Sequence, residues 1–143
     1  MTADETLSES WLAIGLDLTL VGADAGGRRT TLLLSKPFGY RPNWGLPGMT
    51  GTEQTGAPVL CSSPVTLEPG DSARVVIVPL TDYHLVEWRL LNRGDKLRMF
   101  EGPRVCGHGT VRWTETTIRP LPVGDEARFR TWAESGGERP EPA

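Results

Sequence analysis

The chain has 143 residues, is 38% hydrophobic, and carries two cysteines and a formal net charge of −3. This length makes one domain with one core the default. No apolar run is long enough to span a bilayer, the acidic polar start does not read as a secretory signal, and two cysteines are not a disulfide framework, so a reduced, cytoplasmic protein with no membrane partner is expected.

The 17 glycines and 12 prolines favour turns over long helices. The charge is uneven. Residues 1–12 hold Asp4, Glu5 and Glu9 with no Lys or Arg, residues 114–143 hold four Arg and six acids, and residues 13–113 hold 11 basic against 9 acidic residues. The acidity therefore belongs to the two ends. The mildly basic middle permits an RNA-binding face without arguing for one. Three segments are expected: an acidic flexible lead-in over 1–12, a domain over 13–113, and an extension over 114–143.

In chain order, residues 13–21 alternate apolar with small or polar residues, the period of a half-buried strand. Residues 23–27 form a glycine-rich turn, and Thr30 to Leu34 reads as a second strand. Residues 36–48 hold Pro37, Gly39, Pro42, Gly45, Pro47 and Gly48, which means either a long loop or an interrupted edge strand. Val59 to Leu67 alternates again between Pro58 and Pro64. Pro69-Gly70-Asp71 is a tight turn, and Arg74 to Leu80 is an apolar strand. Over 81–94 the period changes: Leu85, Trp88 and Leu91 recur at three-residue steps. Thr81 or Asp82 supplies the start and Gly94 the end, so a short helix is expected, placing Trp88 against one end of the fold. Lys96 to Phe100 and Val105 to Trp113 form a last strand pair around Gly102-Pro103. Beyond Thr114 the β pattern fades. A brief helix over Glu126 to Trp132 is expected, followed by a disordered polar end from Gly136.

Two segments carry a resemblance. Residues 39–44 read Gly-Tyr-Arg-Pro-Asn-Trp, and residues 101–107 read Glu-Gly-Pro-Arg-Val-Cys-Gly. Between them lie Thr50-Gly51 and Pro69-Gly70-Asp71. In order and spacing this resembles the third, C-terminal domain of elongation factor Tu and its translational GTPase relatives, over roughly residues 13–113. The resemblance implies an all-β fold: a closed, antiparallel, six-stranded Greek-key β-barrel, here with a short helical insertion at 81–94. It also implies contact with the T-stem backbone of tRNA. The family's contact positions correspond to Arg28 and Arg29 after Gly26-Gly27, to Asn43, to Thr50, and to Glu101 and Gly102. Arginines neutralise phosphates, and short polar groups and backbone N–H groups bond phosphate or the 2′-hydroxyl. Pro103 departs from the family by replacing a glycine and removing an N–H donor. Trp44 is the tryptophan singled out as a candidate for stacking on a partner.

Catalysis is not expected. No Gly-x-x-x-x-Gly-Lys-Ser/Thr loop is present to surround phosphates, so no nucleotide is expected to bind and GTP hydrolysis by the family's mechanism is excluded. Cys61, Cys106, His84 and His108 lack the spacing of a metal site. Cys106 and His108, two apart on an expected strand, would share a face, but no orienting third group or oxyanion site accompanies them. Asp71, Asp82 and Asp95 suit turns and caps, and Tyr40 and Arg41 suit stitching between strands. No cofactor, metal or catalytic residue is therefore expected. The sequence reads as a stand-alone, non-catalytic binding module for a translation component. The partner would be tRNA or a protein that recognises the elongation factor, with a decoy role as one version. The alternative is a structural or regulatory protein-interaction domain unrelated to translation.

Overall fold

Residues Ser10–Leu20 form strand β1, in which Leu12, Ile14, Leu16, Leu18 and Leu20 all point into one core. That is the period-two alternation legible in the sequence. In the computed structural model, which describes residues 10–80 and 84–142, β1 is an interior strand of an antiparallel sheet. The other strands are β2 (Leu32–Leu33), β3 (Asn43–Gly45), β4 (Thr55–Gly56), β5 (Val59–Ser63), β6 (Thr66–Leu67), β7 (Ser72–Ile77), β8 (Lys96–Glu101) and β9 (Arg104–Ile118). Seven of them form one sheet in the order β4-β3-β8-β9-β1-β7-β5, and β2 and β6 pair separately. β3 and β4 are short because Pro42, Pro47 and the glycines around them withhold ladder donors and backbone stiffness.

β4 and β5 stand at opposite ends of the strand order, yet only Ala57 and Pro58 separate them in the chain. The backbone over 38–42 runs beside this junction. Phe38 N–H donates to Val59 O at 2.9 Å, Val59 N–H to Tyr40 O at 2.9 Å, and Ala57 N–H to Pro42 O at 3.3 Å.

Strand β1 begins at Ser10, so the expected lead-in over 1–12 is shorter than its assigned span; residues 1–9 lie outside the described region. Strand β9 runs on through Thr114–Ile118, where the sequence pattern fades. A bulge precedes this stretch: Gly15 pairs with Trp113 but Leu16 pairs with Val111, leaving Arg112 as the extra residue. A bulge reverses which face each later side chain takes. Val111 therefore packs in the first core and Trp113 in a second core on the other side of the sheet.

The second core is roofed by a helix. Helix α1 spans Leu85–Arg89 and helix α2 spans Val123–Ser135. The expected helix over Glu126 to Trp132 is thus longer by three residues at each end. Phe129, Trp132 and Ala133 are spaced i, i+3, i+4 and are buried against Ala13, Leu60, Cys61, Val76, Val78 and Trp113. Phe129 stacks on Trp113 at 5.3 Å between ring centroids, and Trp132 meets the same indole edge-on at 5.2 Å. Arg74 of β7 caps the helix end, donating to Ala133 O at 2.8 Å and to Glu134 O at 2.9 Å. Residues 136–142 fold back along α2 where a disordered end was expected. Gly137 O accepts from Trp132 Nε1 at 3.1 Å and from Arg112 at 3.0 Å, and Glu141 O accepts from Arg128 at 2.6 Å.

Helix α1 is a single turn and a half, where the sequence period suggests the whole of 81–94. Asn92 N–H donates to the Asp95 carboxylate at 2.8 Å, which closes a turn instead of extending the helix. Its expected caps Thr81 and Asp82 lie outside the described residues. Trp88 and Leu91 are buried in the first core, as their spacing implies. Among the described residues no helix is long and apolar enough to cross a membrane.

Candidate functional site

The Gly26-Gly27 turn is required by packing. Gly27 lies so close to the backbone that a Cβ would sit 2.1 Å from Val21 O, and Gly26 has φ 93°. This turn aims Arg28 inward and Arg29 outward. Arg28 is 17% exposed and all three of its nitrogens are occupied. Nε donates to Thr30 O at 3.4 Å, Nη2 to Thr30 Oγ1 at 3.2 Å and Thr31 O at 3.3 Å, and Nη1 pairs with the Glu101 carboxylate. Tyr40 Oη donates to the same Glu101 oxygen at 2.6 Å. Burial, and then the bond to Glu101, push the Tyr40 phenol well above its ordinary value. Arg28, Tyr40 and Glu101 form one structural node joining the 28–31 segment to the β8–β9 hairpin. Arg29 is exposed and has no hydrogen-bond or ion-pair partner among the described residues.

The hairpin tip is Gly102-Pro103, with Gly102 at φ 60° and Glu101 paired across from Arg104. Pro103 is exposed, so its missing N–H leaves no buried gap. Gly102 O accepts from Gln54 Nε2 at 3.1 Å, and Gln54 Oε1 accepts from Asn43 Nδ2 at 2.9 Å. Asn43 is exposed on β3, opposite Phe100 of β8. Arg28, Glu101, Gly102, Gln54 and Asn43 therefore form one hydrogen-bonded band at one end of the sheet. Gln54 carries no motif signal, and sequence reasoning missed it.

Thr50 lies on the neighbouring loop and is engaged locally. Its hydroxyl donates to Glu53 at 2.9 Å and its N–H at 3.3 Å; the hydroxyl and then the backbone N–H hold the Glu53 carboxyl below its ordinary value. A carboxylate beside Thr50 opposes a phosphate there. Arg98 of β8, also missed, straps this loop down by donating to Gly51 O at 3.0 Å and Met49 O at 3.2 Å.

Trp44 is fully buried, and its indole N–H donates to Ala57 O at 2.9 Å. It is a core residue and presents no face to a partner, because β3 turns its alternate side chain inward. The expected shared face of Cys106 and His108 also fails. A bulge in β9 pairs Met99 with Gly107 but Phe100 with Val105, so Cys106 turns into the core while His108 stays exposed. Burial pushes the Cys106 thiol up to about 11 and the Cys61 thiol up to about 12. Among the described residues no three His, Cys, Asp or Glu side chains come together as a metal site.

A cleft of about 370 Å³ adjoins the band. It is lined by Arg41, Pro42, Asn43, residues 54–58, Leu80 and His84. Residues of the motif at 39–44 and of the insertion that carries α1 thus line a single opening. No known protein-family model matches the chain, and no curated protein matches it.

Proposed function

We propose that the chain is a non-catalytic binding module resembling the third domain of elongation factor Tu, and that it contacts the sugar–phosphate backbone of tRNA. In this reading β4 and β5 act as one bent strand and the sheet closes as a six-stranded Greek-key barrel. The backbone bonds between 38–42 and 57–59 support closure. The observation that carries the function is the convergence at one end of the fold. Five positions taken from the resemblance, Arg28, Arg29, Asn43, Glu101 and Gly102, come from three separate stretches of chain and meet through Gln54 and the Gly-Gly turn. Exposed Arg29 and Arg104 supply charge there, and Asn43 and Gly102 supply polar groups.

The test is tRNA binding measured over a range of salt concentrations. Affinity should fall steeply as salt rises, and Arg29→Ala should lower the slope by about one. The absence of any tRNA shift in low salt would sink the tRNA reading. Exposed Val86 and Leu90, one turn apart on the α1 segment, favour the second reading, a protein partner.

A further inference from the structure

The cleft lined by the 41–43 segment and His84 shares only Asn43 with the backbone contacts proposed above. Its chemistry is mixed in a specific way. Pro42, Ala57 and Pro58 give it an apolar wall. Arg41 Nε donates to Phe38 O at 3.1 Å, which fixes the guanidinium while Nη1 and Nη2 have no partner among the described residues. Asn43 gives one amide hydrogen to Gln54, leaving a second N–H and an acceptor oxygen on the same planar group. Gln54 is itself held by bonds to Thr52 O at 3.0 Å and Gly102 O at 3.1 Å, so Asn43 rests on a fixed support. The exposed imidazole of His84 also lines the cleft.

A planar donor–acceptor pair matches a base edge, an apolar wall and an imidazole match a base face, and a free guanidinium matches a phosphate. The volume of about 370 Å³ lies near the lower end of small-ligand sites, suited to one nucleotide and too narrow for a duplex. We infer that the cleft takes a single unpaired nucleotide of the bound RNA, next to the stem whose backbone the Arg29 end contacts. This inference rests on the RNA reading and adds base recognition to it.

The test uses two RNA hairpins with the same stem, one blunt and one carrying a short single-stranded run of adenosines, titrated by fluorescence anisotropy at fixed salt. The extended hairpin should bind about tenfold more tightly, the scale expected for one base stacked and hydrogen-bonded. Arg41→Ala should bring the two hairpins to the same affinity. His84→Ala, which among the described residues removes one ion-pair contact, to Glu87, should shrink the advantage and serves as the second variant if Arg41→Ala is poorly folded. An extension whose adenosines are replaced by abasic sugars should lose most of the gain. Equal binding of both hairpins by the unaltered protein overturns the inference and leaves the RNA reading standing, as does an advantage that survives both substitutions. Binding of neither hairpin overturns both.

Discussion

Arg28 and Arg29 are adjacent and chemically identical, yet the fold gives them different work, and alanine substitution should separate them. Arg28→Ala removes the ion pair to Glu101 and three longer bonds to Thr30 and Thr31. The bonds of 3.2–3.4 Å are weak and readily replaced by water. The charged contact dominates. Such bonds contribute about 1.5–3 kcal/mol net, and Glu101, being 31% exposed, recovers part of the loss by hydration. A cost near 2 kcal/mol follows, equivalent to a fall in Tm of roughly 6 °C for a domain of this size. Arg29 has no hydrogen-bond or ion-pair partner among the described residues, so Arg29→Ala should stay within about 0.5 kcal/mol. Thermal unfolding followed by tryptophan fluorescence reads both changes. Pairing Arg28→Ala with Glu101→Gln should cost less than the two single losses added, because both remove one contact. An unchanged Tm for Arg28→Ala, or a fall for Arg29→Ala as large as that for Arg28→Ala, would refute the division of roles.

Two further outcomes are expected. Gly15→Ala would place a Cβ 2.2 Å from the Trp113 indole, which Phe129 and Trp132 hold in place, so the strain should cost about 1–3 kcal/mol and loosen α2; urea unfolding reads the loss, and an unchanged midpoint would mean that the indole moves freely. Raised thiol values in the folded state mean that Cys61 and Cys106 contribute stability that is fully present below the ordinary value near 9 and is lost as pH rises toward about 12 for Cys61 and about 11 for Cys106. The urea midpoint should therefore fall between pH 8.5 and 10.5, at up to roughly 1.4 kcal/mol per pH unit for each thiol, and Cys61→Ala should remove its own share. A midpoint flat over that range contradicts the burial argument.

Much of the strand content was legible in the sequence because strand period is a local property. The alternation of Ile14, Leu16, Leu18 and Leu20 needs no partner to be read, nor does the apolar run at β7. Trp88 and Leu91 likewise declared their burial by spacing. Helix α2 was legible only in its middle, because just Phe129, Trp132 and Ala133 are buried in an otherwise polar segment. The tail at 136–142 reads as disordered by composition, and it is the carbonyl oxygens of Gly137 and Glu141, invisible in a side-chain sequence, that Arg112, Trp132 and Arg128 hold.

At the site, the motif residues identified a region but not their roles. Trp44 looked available and is buried; Arg28 looked free and is fully engaged; Gln54 carried no signal and links Asn43 to the hairpin. The two bulges in β9 matter most here. Each inserts one residue relative to a partner strand, sending Trp113 to the second core and Cys106 to the first. By itself the sequence determined the mostly-β class, the turns and the inward face of β1, since propensity, period and turn chemistry act between near neighbours. Only the tertiary structure decided which side of the sheet each side chain takes and which arginine remains free, because bulge, register and ion pair exist only between segments distant in the chain.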